Sequence, residues 1–343
     1  MSTLIDVKDL SVTFPGPKEG LLGKRGAPIQ AVDSVSLSVR SGEALGLVGE
    51  SGSGKTTLGR ALLRLVEPAG GVVQMNGKGG AQDITALTPK ALRKAWQNMQ
   101  MIFQDPQSSL NPRMTVMDTI AESLLVNKLV RTMQEAKPIV LKVAQRCGLN
   151  ADQLSRYPHA FSGGQRQRIS IARALVMGPE FIICDEPVSA LDVSIQAQIL
   201  NLLIDQQEDL GLTLLFISHD LIVVAYLCDR IAVMYLGRVI EIARTKDLFN
   251  KPLHPYTEAL MSAIPSDDPD QELGANTLAG EATGGKVDRN GCLFAPRCSY
   301  ADGDKCLTQR PPMVDVSEDR SVACHYADTL SLTGFDEIGK RRR

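Results

Sequence analysis

The chain has 343 residues, enough for one large domain with a smaller appendage or for two domains. A hydrophobic share of 43% with 22% charged residues excludes wholesale disorder, and 37 basic against 39 acidic residues (37 − 39 = −2) leave no basic field for a general nucleic-acid-binding role. No apolar run approaches the ~18–20 residues needed to cross a bilayer. The opening MSTLIDVKDL also lacks a basic-then-apolar leader, so a cytosolic chain is expected, serving a membrane only through a partner that spans one.

Leu4–Phe14 alternates apolar residues and is predicted as a strand. Pro15–Pro28, with four Gly and three Pro, is predicted as a surface loop. Ala31–Val39 alternates again, and a Ser-Gly turn leads into the buried run Ala44–Val48. After Gly54 the spacing becomes helical, with Leu58, Leu62 and Leu65 apolar, so this is a strand, glycine loop, helix entry to an α/β fold. Pro106–Ala160 is mostly helical in pattern, including Lys137–Cys147. Then follow a helix at about Gln165–Val176, a buried strand Phe181–Asp185, a helix Ser194–Gln207 and a strand Thr213–Ser218. Ile231–Tyr235 and Val239–Ile242 form a predicted hairpin. Ala263–Gly291 carries six acids, five Gly and no aromatic residue, the composition of a linker. The chain ends in a basic tail, Lys340-Arg341-Arg342-Arg343.

Within this frame three groups carry chemistry. Gly49-Glu50-Ser51-Gly52-Ser53-Gly54-Lys55-Thr56-Thr57 fits the phosphate-binding pattern G-x-x-x-x-G-K-[ST]. Its glycines let backbone N–H groups converge on phosphates, Lys55 adds a full positive charge, and the Thr56 hydroxyl suits Mg²⁺. Four apolar residues then deliver Asp185 and Glu186 to a strand end, Asp185 as the acid on the metal side and Glu186 as the base for an attacking water. Ser162-Gly163-Gly164-Gln165 opens a helix and offers a second anion site, which in a chain with one phosphate loop would serve a nucleotide held by another chain.

Seven cysteines in a cytosolic chain argue against a disulfide framework. Cys184 reads as buried packing. Cys292, Cys298, Cys306 and Cys324 space as C-x₅-C-x₇-C-x₁₇-C, without the close pairs of common zinc ribbons. Four thiolates there suit an iron–sulfur cubane, with zinc or free thiols as alternatives that spacing does not separate. Because 292–324 has few large apolar side chains, a metal staple is expected to be structural, its loss loosening the C-terminal region while leaving the phosphate loop and its acids, distant in sequence, intact.

Together these residues resemble the ATP-binding subunits of ABC transporters, over nearly the whole chain and with the motifs in family order. The resemblance implies an α/β, ABC-type P-loop ATPase with a RecA-like core, an antiparallel β subdomain and a helical subdomain, plus a small C-terminal cysteine-rich domain. Its implied division is a nucleotide-binding domain at 1–262 (helical subdomain about 106–160), a linker at 263–291, a Cys₄ domain at 292–330 and a tail at 331–343. Asp185 becomes the Walker B acid and Glu186 the catalytic base. Gln104 becomes the glutamine loop that senses Mg²⁺ and the γ-phosphate, His219 the switch histidine, and Ser189-Ala190-Leu191-Asp192 the D-loop. Phe14 stands where an aromatic residue stacks on adenine, though a core position in the first strand fits it as well. Ser108–Thr115, Arg156–His159, Lys251–Thr257 and the cysteine-bearing tail are similar to the dipeptide/oligopeptide importer branch, nearer its F-type than its D-type ATPase, and imply a [4Fe–4S] cluster. His159 and His254 sit beside prolines and read as structural.

The implied activity is ATP hydrolysis with ATP and Mg²⁺, powering peptide import from the cytoplasmic face of a bacterial inner membrane. The implied partners are a second ABC ATPase subunit in a head-to-tail heterodimer, two transmembrane permeases and an extracytoplasmic substrate-binding protein, with no nucleic acid. Nickel or glutathione import by the same branch, or a non-transport ABC ATPase, are the alternatives.

Overall fold

The computed structural model describes residues 2–16, 26–264 and 289–335. Its strands are β1 (Thr3–Phe14), β2 (Ile29–Arg40), β3 (Ala44–Val48), β4 (Gly70–Gly77), β5 (Gly80–Asp83), β6 (Met99–Ile102), β7 (Phe181–Asp185), β8 (Thr213–Ile217), β9 (Arg230–Tyr235), β10 (Arg238–Arg244), β11 (Val314–Ser317) and β12 (Arg320–Val322). The helices that frame the site are α1 (Lys55–Leu62), α2 (Pro89–Ala95), α3 (Pro106–Ser109), α4 (Val116–Val126), α5 (Met133–Arg146), α6 (Gly163–Leu175), α7 (Val193–Leu210) and α8 (Leu221–Leu227). Most of the expected linker, at 265–288, lies outside the described residues, as do 17–25 of the first loop and 336–343 of the basic tail.

The larger sheet runs β11-β12-β10-β9-β3-β8-β7-β6, and β6, β7, β8, β3 and β9 within it are mutually parallel. Parallel strands need crossover helices, which cover both faces and explain why β3, β7 and β8 read as unbroken apolar runs. The face on which each residue is buried nevertheless alternates with the strand period of two. Ile182, Cys184, Leu214 and Phe216 face the helical side with α4, α5 and α6. Phe181, Ile183, Leu215 and Ile217 face α1 and the second sheet. That second sheet is antiparallel, in the order β2-β1-β4-β5.

Local chemistry sets the boundaries. Thr115 caps α4 by accepting from the Asp118 N–H at 3.1 Å, and Thr132 caps α5 through Glu135. The second cap starts that helix at Met133, before the expected Lys137. The hairpin β9–β10 turns at Leu236 and Gly237, both at positive φ as a two-residue hairpin requires. Leu58 and Leu62 are fully buried in α1, but Leu65 lies beyond the helix end and is exposed, with Leu63 taking the inward place.

The C-terminal segment does not hang apart from this frame. β12 pairs antiparallel with β10 (Glu241↔Val322, Ile242↔Ser321) and β11 pairs with β12, so residues 314–322 continue the main sheet.

Candidate active site

The phosphate loop leaves the carboxyl end of β3 and enters α1, where open α/β sheets place their ligands. Gly54 is the N-cap of α1 at φ 103°, and a Cβ there would stand 2.3 Å from the Ala31 carbonyl oxygen, so no other residue fits. Gly49 is equally close-set, against the Met234 carbonyl oxygen, while Ser51 and Gly52 form the exposed crown of the loop. The Lys55 ammonium folds back into the loop. It donates to the Gly49 carbonyl at 2.7 Å and to the Glu50 carbonyl at 2.9 Å, with Ser53 Oγ at 3.4 Å. Burial lowers its pKa, opposed by the charges of Glu186, Asp185 and Glu50. Thr57 follows Thr56 in α1 and is half-buried.

Thr56 Oγ1 donates to Asp185 Oδ1 at 2.8 Å, joining the loop to the end of β7. Burial lifts the pKa of the Asp185 carboxyl, as does the neighbouring Glu186 charge, while the Thr56 bond, Arg60 and Lys55 pull it down. Two hard oxygen ligands side by side, one of them a buried carboxylate, fit Mg²⁺, which takes only one or two protein ligands beside phosphates and water.

The parallel register assembles the remaining groups. Ile102 of β6 stands opposite Cys184 of β7, and Cys184 opposite Phe216 of β8. Just past the carboxyl ends of these strands come Gln104, Glu186 and His219, which follow β6, β7 and β8 in turn. Accordingly Gln104 Nε2 donates to Glu186 Oε2 at 2.9 Å, and His219 Nδ1 lies 3.1 Å from Glu186 Oε1. Glu186 itself has φ 44°, a left-handed conformation rare outside glycine and a form of strain that clusters at functional sites. Cys184, directly before this pair, is buried with its thiol pushed up to about 12, inert as expected of packing.

Ser162 caps α6 in a reciprocal capping box with Gln165, accepting its N–H at 3.4 Å and donating its own to Gln165 Oε1 at 3.1 Å. Gly163 and Gly164 pack on α7 and its approach. A Cβ on Gly164 would meet Ile195 at 2.3 Å, and one on Gly163 would touch Leu191. Asp192 is the exposed N-cap residue of α7. Ser162–Gln165 and the D-loop therefore form one packed unit, and the hydrogen bonds between Ser162 and Gln165 stay within their own helix start. Phe161 is buried in the helical-side core. Phe14 ends β1 opposite Ile29 and is 37% exposed, outside the core. Of the two structural histidines, His254 is buried and caps Pro255–Ser262, its pKa pushed down to about 3 by burial, while His159 stacks on Tyr157.

Cys292, Cys298, Cys306 and Cys324 line one small hollow of about 20 Å³ together with Phe294, Tyr300 and Tyr326. Burial raises the pKa of Cys292, and pushes Cys298 and Cys324 up to about 11. Among the described residues, no group of three or more His, Cys, Asp or Glu is arranged to hold a metal ion. The four thiols fit a soft metal centre in number and kind.

The cysteine segment, distant from the ATP motifs in sequence, meets the phosphate loop in space. Arg297, between Cys292 and Cys298, donates through both terminal nitrogens to the carboxylate of Glu50 in the phosphate loop, at 2.8 and 2.9 Å. The Glu50 N–H in turn donates to Tyr256 Oη at 2.8 Å. Neither partner carries a local signal of its role. Tyr256 lies in the Lys251–Thr257 stretch noted for its resemblance, and Arg297 is marked only by the cysteines around it.

Residues 32–189 match the family model described as ABC transporter, and residues 240–306 match that of the oligopeptide/dipeptide transporter C-terminal region. The oligopeptide transport ATP-binding protein AppF of Bacillus subtilis is 45% identical over 326 residues, covering 94% of this chain and 97% of its own length. A Brucella ovis protein provisionally named for peptide import and ATP binding is 49% identical over 300 residues, 88% of this chain and 93% of that one. Among solved structures, the ATP-binding cassette MJ0796, a dimer bound to ADP and Pi, aligns with a TM-score of 0.61 at 27% identity, over 71% of this chain and 99% of its own. CbiO1 from Clostridium perfringens, part of the ABC transporter complex cbiONQ, aligns with a TM-score of 0.61 at 26% identity, over 73% of this chain and 91% of its own.

Proposed function

The chain belongs to the ATP-binding subunits of ABC transporters, in their oligopeptide/dipeptide branch, and from that premise we propose that it hydrolyses ATP at the Lys55–Asp185–Glu186 site to drive peptide import. The observation that carries the catalytic reading is the grip on Glu186, whose two carboxylate oxygens are occupied by Gln104 and His219. A base held from both sides is oriented before substrate arrives.

Glu186 takes the proton of the attacking water as its oxygen bonds to the γ-phosphorus. The bond from that phosphorus to the bridging oxygen breaks, and ADP and phosphate leave. Lys55 and the loop N–H groups hold the β- and γ-phosphates. Thr56 and Asp185, with Gln104 reaching from β6, would hold Mg²⁺, which neutralises charge on the transferring group when bound. Ser162–Gln165 and Asp192 complete the site of a partner ATPase whose loop faces them. What supports this is an exposed helix start backed against α7 in a chain with a single phosphate loop.

In this reading the partners are a second, non-identical ATPase subunit, two permeases and an extracytoplasmic binding protein, with the chain on the cytoplasmic face of the inner membrane. Among the described residues no helix is long and apolar enough to cross a membrane, so the permeases supply the passage. For Cys292, Cys298, Cys306 and Cys324 the reading is a structural Cys₄ centre, with [4Fe–4S] as its occupant. Its support is their convergence on one hollow. Anaerobically purified protein should contain about four irons per chain, and stoichiometric zinc without iron from iron-replete cells would contradict the cluster.

The catalytic reading is tested with Glu186→Gln in the assembled transporter. Hydrolysis should fall about 10²–10⁴-fold, the usual contribution of a positioned base, with Mg-ATP still bound. Hydrolysis at the parental rate would remove Glu186 from the mechanism.

A further inference from the structure

The short turn Ala295–Arg297 lies between Cys292 and Cys298 and is bound to both, Ala295 N–H donating to the Cys292 carbonyl and Cys298 N–H to that of Ala295. Arg297 of this turn reaches the phosphate loop, and Phe294 just before it packs on the tyrosines beside the loop. Arg297, with its side chain 10% exposed, meets Glu50 in a two-bonded fork and lies 5.9 Å from the centre of the Tyr235 ring. Phe294 packs edge-on against Tyr235 at 5.4 Å and Tyr256 at 5.3 Å, and Tyr256 holds the Glu50 N–H. Glu50 is thus fixed at its amide and its carboxylate from outside the loop. Its carbonyl, the third polar group of the same residue, accepts from the Lys55 ammonium.

An acid in a phosphate loop is electrostatically adverse to a triphosphate, and a nearby cation offsets it. We propose that Arg297 is a positioning residue of the nucleotide site, which by clamping and neutralising Glu50 sets the carbonyl that holds Lys55 and so the affinity of the loop for ATP. The cysteine-bounded turn is then part of the ATP site, which no local feature of the sequence indicates. The inference rests on the ATPase reading above, and it concerns nucleotide affinity rather than the chemical step. The hydrogen bonds that join Glu186 to Gln104 and His219 do not involve this clamp.

The test titrates the full chain with a fluorescent ATP analogue and Mg²⁺, alongside single-turnover hydrolysis at saturating ATP in the assembled transporter. Arg297→Ala should weaken binding about tenfold, the size of one lost charged hydrogen-bonded pair. The saturated rate should stay within about twofold, because a lost uniform binding interaction moves affinity and not the chemical step. Arg297→Lys, which keeps the charge and most of the packing but loses the fork, should lie between parent and Ala. Combining Glu50→Ala with Arg297→Ala should bind no more weakly than Arg297→Ala alone, since both remove one interaction. Unchanged affinity in Arg297→Ala, or losses that simply add in the double variant, would overturn the inference. A parent chain that binds no ATP would instead overturn the ATPase reading on which it rests.

Discussion

The two ends of the main sheet keep their places by different means. At the catalytic end, β7 and β8 are buried along their whole length and sandwiched between two apolar clusters. At the other end, β11 is exposed throughout, and residues 289–335 add a set of ionic pairs to the pairing of β12 and the burial of Leu293 and Phe294. Arg289 joins Asp33 at 3.1 Å, Arg297 joins Glu50, Arg320 joins the buried Glu241 at 3.3 Å, and Asp319 takes both Arg40 and Arg244. Burial is non-directional and fixes a whole layer at once, whereas an ion pair fixes one point and depends on charge state. The catalytic groups thus ride on a layer buried on both faces, while the attachment of the cysteine segment depends in addition on charged points.

The sharpest way to break this contrast is Phe216→Ala in β8. Phe216 is fully buried among helical-side residues, and its truncation should cost about 3–5 kcal/mol of global stability, read by chemical denaturation, with the whole ATPase body lost together. A cost below 1 kcal/mol would mean that the layer is not packed as described.

A smaller, local effect should come from Asp319→Asn. The hydrogen bond and charge of Arg40, aided by Arg244 and opposed by burial, hold the Asp319 carboxyl below the ordinary aspartate value of 3.8. A depressed folded-state pKa contributes stability that is present above the unfolded value and lost as pH falls through the folded one. Protection from hydrogen exchange in 314–322 should therefore fall on acidification below about pH 4 before that of β7 and β8. Asp319→Asn should lower it at neutral pH and remove the acid dependence. Equal protection in both regions across that range would erase the distinction between them.

The same contrast governed what could be read in advance. Ala44–Val48 and Phe181–Asp185 were legible to the residue because strands buried on both faces are apolar without interruption. The phosphate loop was legible because its chemistry fixes residue types at fixed spacing. Gln104, Glu186 and His219 were separate points in the sequence, and their meeting depends on the register of β6, β7 and β8. β4 opens and closes with glycine and β6 has four residues, so neither offers an alternation long enough to recognise. The docking of β12 on β10 and of Arg297 on Glu50 left no local signal, because an ion pair between residues 247 positions apart has no periodicity. The cysteines announced a centre, but their spacing could not tell its occupant, nor that their turn would reach the phosphate loop.

The central claim is that ATP hydrolysis on this chain powers peptide import. The direct measurement is uptake of a labelled oligopeptide by vesicles carrying the reconstituted transporter with its binding protein. The parent assembly should accumulate peptide only with Mg-ATP, and Glu186→Gln in this chain should abolish accumulation while leaving the assembly intact by size-exclusion chromatography. ATP hydrolysis by the parent without peptide accumulation, or undiminished accumulation with Glu186→Gln, would contradict the account.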